Sequence, residues 1–563
     1  MRKLLILGAL AVALLLSLLG TRPDDAAPSG PPVVSAAAAS TKPTVVMVMA
    51  DDMRTDDLRF MPSVRRLLVG RGLSFRNSFS PYPLCCPARA SFLTGRYAHN
   101  HHVFSHEDPY GFRSFDDHAT IATALHQAGY QTGFVGKYLN GYGAQPSLVT
   151  GGPSFRYVPA GWTDWYGAVE RPTDSGYPSG GTYNYLHTLF NVNGRIDDTH
   201  KGQYQTNVLG SFARGLVTKY HRSPRPFFLY VSAVAPHFGG PREKGDPVHV
   251  PRLDGGFSRL ATPARPLWVR GKFDRQITRA SGRPVGGGPS EADISDKPRP
   301  MDKAPELSTA EWYGVRALTR QRAEALFVLD QEVARLVARL KATGEYANTV
   351  FMFTSDNGYF LGEHRQRQGK IKPHEPSLRV PFVIAGPGVP HGERFDPVTT
   401  PGVTATIADL AGATSLMPYP EDGVSVASSL EGDHGWSVPV VTEGLESGSV
   451  FPQDPVLKAA GFDDPRNTIG VRTGRWKYVR YSDGDGELYD LDADPNELQN
   501  RISDPAYAQV RDRLHAVWLA YKDCSGAACR TPLPDRFQRT PRENEAGTNT
   551  QSRGVQQRYG YWR

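Results

Sequence analysis

Apolar and polar residues follow two alternating periods along this chain of 563 residues. Apolar runs stand at Pro43–Ala50, Pro226–Ala235 and Val380–Ala385, and Asn348–Thr354 and Gln131–Tyr138 also read as strands. Runs of that length, without polar alternation, suit strands buried on both faces of a sheet. Ser74–Phe79 reads as one more short strand. Between these runs, apolar residues recur three and four apart over Met61–Gly70, Ile121–Ala128 and Trp312–Lys341. In the last of these Leu318, Ala325, Leu329, Val333, Leu336, Val337 and Leu340 share one helical face, and Gly344 follows as a stop. Strands alternating with helices predict an α/β sandwich on a large, mostly parallel sheet, with Val380–Ala385 as the strand that closes it.

The pattern breaks in several places. Residues 144–199 are rich in Gly, Pro, Ser and aromatics and predict loops with short strands. Residues 239–307 are rich in Pro, Gly, Arg and Asp; a connection this long predicts a lid or a mobile insertion. Beyond residue 430, Thr468–Thr473 and Trp476–Tyr481 read as antiparallel strands about a Thr473-Gly474-Arg475 turn. Glu487–Leu491 adds a third strand and Ala506–Tyr521 a packing helix, making a smaller α+β subdomain. The expected division is 1–41 leader, 42–430 main domain, 431–530 second subdomain and 531–563 a polar, basic tail of poor order.

Met1-Arg2-Lys3 followed by the apolar run Leu4–Leu19 has the form of a secretory signal, and an Ala-, Pro- and Ser-rich lead-in follows it. An uncleaved anchor is the competing reading of the same run. No later segment is apolar enough to span a membrane, so a secreted protein is expected. Of the four cysteines, Cys524 and Cys529 lie close together, which outside the cell predicts a disulfide. The net charge of +7 favours an anionic partner. No nucleic-acid-binding module accompanies that charge, so nucleic acid is not the expected partner.

Two acids, Asp51 and Asp52, end the first strand run, and Asp356-Asn357 ends another. The carboxyl ends of strands are where open α/β sheets place their sites. Three carboxylates and an amide oxygen form a hard, oxygen-only set, suited to Ca²⁺ or Mg²⁺ and not to zinc. One such acid alone reads equally well as a helix cap or as a partner of Arg54. Cys85 falls at a loop-to-helix junction, where backbone N–H groups favour an anion. A free cysteine is by itself usually a small buried hydrophobe.

The stretch Leu84-Cys85-Cys86-Pro87-Ala88-Arg89-Ala90-Ser91-Phe92-Leu93-Thr94-Gly95-Arg96 changes that balance. Cys85, Pro87 and Arg89, followed by Leu93-Thr94-Gly95-Arg96, resemble the signature of the type I sulfatases. The resemblance implies an alkaline-phosphatase-like fold from about Thr44 to Cys529. It also implies that a maturation enzyme oxidises Cys85 to Cα-formylglycine (3-oxoalanine). The aldehyde hydrate would attack the sulfur of a sulfate ester and pass through a covalent sulfo-enzyme intermediate.

The resemblance assigns the metal to Asp51, Asp52, Cys85, Asp356 and Asn357, with Ca²⁺ implied ahead of Mg²⁺. Arg89 would hold the hydrate and the metal geometry. Lys137 and Lys370 would bind sulfate, with Lys372 the competitor for the second lysine, and His237 would protonate the departing alcohol. Many family members have Lys-x-His where this chain has Lys137-Tyr138-Leu139, so Asn140 or a histidine from His99-Asn100-His101-His102 is expected to compensate. Ala88 departs from the commoner serine. Cys85-Cys86-Pro87, Tyr97–Val103 and Gly136–Asn140 resemble most the N-acetylglucosamine-6-sulfatase and heparan-sulfatase branch. The expected substrate is a sulfated carbohydrate such as N-acetylglucosamine 6-sulfate, or an aryl sulfate. A phosphonate or phosphate monoester hydrolase on the same fold, and a non-enzymatic binder of sulfated glycans, remain as alternatives.

Overall fold

Strand β1 (Thr44–Ala50) is buried at every residue. Its side chains point alternately to the two faces: Val45, Met47 and Met49 enter one hydrophobic core, and Val46, Val48 and Ala50 the other. A strand with two cores to fill has no polar positions, which is why its sequence does not alternate. Parallel neighbours flank it, β7 (Phe227–Ser232) on one side and β10 (Thr349–Ser355) on the other. The computed structural model describes residues 42–446 and 466–561; the expected signal sequence and lead-in of residues 1–41 lie outside them.

Ten strands make the main sheet. From β7 the order runs outward through β3 (Gln131–Lys137), β4 (Asp164–Ala168), β5 (Phe190–Val192) and β6 (Arg195–Asp197). From β10 it runs through β11 (Phe382–Ala385) and β2 (Leu73–Phe79) to β12 (Gly392–Thr399). The centre is parallel, but β11 pairs antiparallel with both β10 and β2. The Val380–Ala385 run therefore does not close the sheet. The edge is β12, whose sequence Gly-Glu-Arg-Phe-Asp-Pro-Val-Thr carries charges and a proline. Those features protect an exposed edge and hide the strand from a search for apolar runs.

Helices cover both faces. On one lie α2 (Cys85–Thr94), α3 (Ile121–Gln127) and α6 (Thr400–Leu410), and on the other α1 (Pro62–Leu67), α4 (Gln205–Tyr220) and the 34-residue α5 (Thr309–Ala342). Ser308 and Glu311 cap α5 reciprocally, fixing where the long helix begins. Among the described residues no helix is long and apolar enough to cross a membrane.

The long 239–307 segment carries a small hairpin, β8 (Val250–Pro251) with β9 (Phe257–Ser258), and is pinned on several sides. Arg365 donates to the carbonyls of Glu291, Ala292 and Ala304, and Arg367 pairs with Glu311 at 2.8 Å. The His364–Arg367 run, which reads as solvated surface, is an anchor.

A second, antiparallel sheet joins β13 (Val440–Glu446), β14 (Arg466–Arg472), β15 (Trp476–Tyr481) and β16 (Gly486–Asp490). Helix α7 (Ala508–Tyr521) packs on it through Leu514, Val517 and Tyr521. Cys524 and Cys529 are bonded to each other.

The tail corrects the expectation of disorder for 531–563. Helix α8 (Pro541–Tyr559) starts at a Thr540–Glu543 capping box and buries Asn544, Thr548, Gln551, Val555 and Tyr559. Asn77 donates to Thr548 at 2.8 Å, Arg472 donates to Gln551 at 3.2 Å, and the Tyr561 hydroxyl donates to Glu363 at 2.7 Å. Most of the buried face is polar and satisfied by hydrogen bonds, so no apolar stripe announces the helix.

Candidate active site

Four strand ends and one helix start meet at the carboxyl edge of the sheet. Strand β1 delivers Asp51 and Asp52, β10 delivers Asp356 and Asn357, β3 ends on Lys137, and His237 follows β7. Cys85 is the first residue of α2, whose N-terminal dipole favours negative charge at that point. Lys370 reaches in from the loop before β11. All nine, Arg89 included, converge.

The contacts are short and dry. The Cys85 thiol donates to Asp51 Oδ1 at 3.3 Å, and Lys370 Nζ stands 2.7 Å from Cys85 Sγ while also pairing with Asp52. Lys137 Nζ pairs with Asp51 Oδ2. Arg89 spans the cluster: Nε donates to Asp356 at 2.9 Å, Nη2 lies 3.3 Å from Asp51, and Nη1 donates to the Lys137 carbonyl and to Ser232. His237 Nε2 is 3.8 Å from Asp52 Oδ2, and its Nδ1 meets the Phe238 carbonyl at 2.7 Å. Asp52 has a left-handed backbone, φ 67°, held by Arg322 on its carbonyl and Asp356 on its N–H. Strained backbone of this kind gathers at functional sites.

Burial and charge oppose each other here. Burial acts to raise the pKa of Asp51, but Lys137, His237, Arg89 and Lys370 together hold it well below the usual carboxylate range. Asp52 is lowered in the same way, chiefly by Lys370 against its burial. Asp356 goes the other way, to about 6, because burial and the Asp51 charge outweigh Arg89. Burial, aided by Asp51, pushes the Cys85 thiol up to about 12. A thiol that stays protonated at neutral pH is neither a nucleophile nor a metal ligand. His237 falls to about 4, chiefly because it is buried.

The donor set fits a hard divalent cation. Asp52 Oδ2 and Asn357 Oδ1 are buried with no hydrogen-bond partner. Orphaned oxygens beside two further carboxylates are what an oxygen-loving ion satisfies. Asp51, Asp52, Cys85 and His237 each bring one ligand-type atom within 4.8 Å of the others. His99, Cys524 and Cys529 are equally close, but there the disulfide has consumed the thiols.

Lys372 is buried, and its carbonyl accepts from the His374 N–H and the Ser377 hydroxyl. The ammonium of Lys370 touches both Cys85 and Asp52. Two of the histidines of 99–102 have partners outside the Cys85 cluster. His101 meets Ser91 at 2.9 Å, and His99 bridges Glu443 and the Cys524 carbonyl. His364 pairs with Glu291 at 2.7 Å and is buried away from any mouth.

Burial acts to lower the pKa of His99, but the Glu443 hydrogen bond and charge lift it to about 9. A folded-state pKa above the unfolded value stabilises below pH 6.5, and the contribution is lost as pH rises towards 9. His99→Gln is expected to flatten that part of the stability–pH curve by roughly 1–3 kcal/mol, measured by urea unfolding at pH 6 and pH 9.

Three neighbours escaped sequence reasoning. Ser232 ties the β7 end to the Lys137 carbonyl at 2.6 Å. His106 has a buried Nδ1 without a partner, and burial with the charges of Lys370 and Lys137 takes it to about 3. Tyr183 lies with its ring 5.0 Å from Lys137 Nζ and 4.8 Å from the His237 ring. None belongs to a motif; His106 and Tyr183 come from loops, where periodicity carries no signal.

A family model described as sulfatase matches residues 43–413, and one described as N-sulphoglucosamine sulphohydrolase, C-terminal, matches 458–522. The N-acetylglucosamine-6-sulfatase of Capra hircus is 28% identical, covering 89% of this chain and 87% of its own length. An arylsulfatase of Volvox carteri is 27% identical over 89% of this chain and 77% of its own. A solved structure in complex with its substrate, D-glucosamine-2-N,6-O-disulfate, superposes with a TM-score of 0.60 at 19% identity, covering 85% of this chain and 97% of the other. At that identity the likeness is one of fold.

Proposed function

From the premise that this chain belongs to the sulfatase family and is a sulfuric ester hydrolase, we propose that it is secreted and removes sulfate from carbohydrate. The substrate class is N-acetylglucosamine 6-sulfate in glycosaminoglycans, with small aryl sulfates as surrogates. The observation that carries the reading is the convergence on Cys85 of Lys370, Lys137, Arg89 and three carboxylates in one buried site. The names of the relatives support the sugar, and the charged, apolar leader at residues 1–19 supports export.

Position 85, oxidised to formylglycine by a maturation enzyme, would supply a hydrated aldehyde as nucleophile; the thiol at about 12 cannot act as one. Ca²⁺ held by Asp51, Asp52, Asp356 and Asn357 would supply Lewis-acid charge to the sulfate oxygens. The chain's own residues do the rest. Lys137 and Lys370 hold the sulfuryl oxygens and stabilise the charge that develops on them. Arg89 fixes Asp51 and Asp356 relative to the α2 N-terminus. His237, oriented through Nδ1 by the Phe238 carbonyl, can take up a proton from solvent at Nε2, which it then passes to the oxygen of the departing alcohol. Burial of Asp51, Asp52, Cys85, Arg89, Lys137, His237, Asp356 and Asn357 limits water around the reacting groups.

The test is turnover of N-acetylglucosamine 6-sulfate, 4-nitrophenyl sulfate and matched phosphate and phosphonate esters by protein co-produced with a maturation enzyme. Preference for the sulfated sugar is expected; preference for a phosphoryl ester overturns the reading. Calcium added to chelator-stripped protein is expected to contribute about 2.7 kcal/mol at a hundredfold excess over Kd, read as a rise in Tm. Asp52→Asn is expected to abolish that rise. No rise with calcium or magnesium in the unsubstituted protein would remove the metal assignment.

A further inference from the structure

We propose that Asn140 and Tyr183 form a specificity pair that binds the sugar beside the sulfate ester, recognising a neutral substituent that both donates and accepts a hydrogen bond. The proposal rests on the carbohydrate reading above.

Asn140 follows β3 three residues after Lys137, and Tyr183 lies in the β4–β5 connection. Both are partly exposed, as Lys370 is, beside the buried Lys137 and His237. Asn140 Nδ2 donates to the Tyr183 hydroxyl oxygen at 2.5 Å. The tyrosine's own proton is then left to donate elsewhere. The other end of the amide, Asn140 Oδ1, is buried with no hydrogen-bond partner. The pair therefore offers one O–H donor and one carbonyl acceptor. A sugar hydroxyl or an acylamino group has the complementary acceptor and donor.

The pair is held rigidly against the catalytic groups. The Tyr183 carbonyl accepts from Gly240 N–H at 2.8 Å, and its ring is tilted 31° against the His237 ring with centroids 4.8 Å apart. Lys137 Nζ lies 5.0 Å from the same ring. His237 is the group assigned to the leaving oxygen and Lys137 one assigned to the sulfate. The edge of the tyrosine thus borders the part of the substrate attached to that oxygen. An unmet buried acceptor costs free energy until a ligand satisfies it, so it discriminates against leaving groups that lack a donor.

The experiment compares kcat and KM of the mature protein, Tyr183→Phe and Asn140→Ala on N-acetylglucosamine 6-sulfate and on 4-nitrophenyl sulfate, which offers the pair no donor. Each substitution is expected to lower the sugar-to-aryl ratio of kcat/KM about tenfold or more, with most of the change in the sugar KM. Tyr183→Phe keeps the ring over Lys137 and His237, and Tm identifies a folding defect in either variant. An equal fall on both substrates means a structural role and overturns the proposal, as does an unmoved ratio in both folded variants. An unsubstituted protein that cleaves the aryl sulfate but no sugar sulfate overturns the carbohydrate reading itself, and the pair's role with it.

Discussion

Replacing Cys85 with alanine is expected to lower sulfate-ester turnover by roughly 10⁴- to 10⁶-fold, the scale on which loss of a nucleophile is felt. The fold should survive, because the side chain is small and alanine suits the first turn of α2. The same position should carry its modification in active protein. The peptide spanning Cys85 is expected to weigh about 18 Da less than its cysteine form, the change for thiol-to-aldehyde conversion of the nucleophile. Active protein with an unmodified thiol would sink the assignment. A thiol held near 12 by burial and by Asp51 has almost no thiolate at neutral pH, so the unmodified side chain would be a poor nucleophile.

Lys370→Ala is expected to lower kcat by about 10²- to 10³-fold, as removal of one preorganised donor to a developing oxyanion does. Its ammonium contacts both Cys85 Sγ and Asp52, the position proposed for the nucleophile and one of the acids proposed to hold the metal. Lys372→Ala is the control. It lies two residues away in sequence and is buried, so the change is expected in Tm and not in kcat of the folded protein. Loss of turnover in folded Lys372→Ala, with Lys370→Ala within tenfold of normal, would reverse the assignment. Lys370→Arg is a useful third variant: it keeps the charge but spreads it over a planar fork that does not fit a point-charge site.

The centre of the protein was legible because its constraints are local. A strand between two cores is mostly apolar, and β1, β7 and the middle of β10 could be read from that alone. The polar residues at strand ends, Asp51-Asp52, Lys137 and Asp356-Asn357, could be placed at one edge because parallel strands end on the same side. The Cys85–Arg96 stretch named the chemistry. The periphery was not legible. Strand β12 is charged and contains proline, and α8 buries amides and hydroxyls where a pattern search looks for leucines. Both are stabilised by distant partners: the Phe395 carbonyl accepts from Asn544, 149 residues away, and from Asn77, 318 residues away.

By itself, then, the sequence determined the sheet's core strands and the residue types at their carboxyl ends, because periodicity and motif spacing act over a few residues. Only the tertiary structure put the Lys370 ammonium against Cys85 and Asp52, gave His99 and His101 their contacts with Glu443 and Ser91, and brought Tyr183 and Asn140 together. Those choices depend on where loop side chains come to rest. Loops are positioned by long-range hydrogen bonds and ion pairs, which leave no period in the sequence.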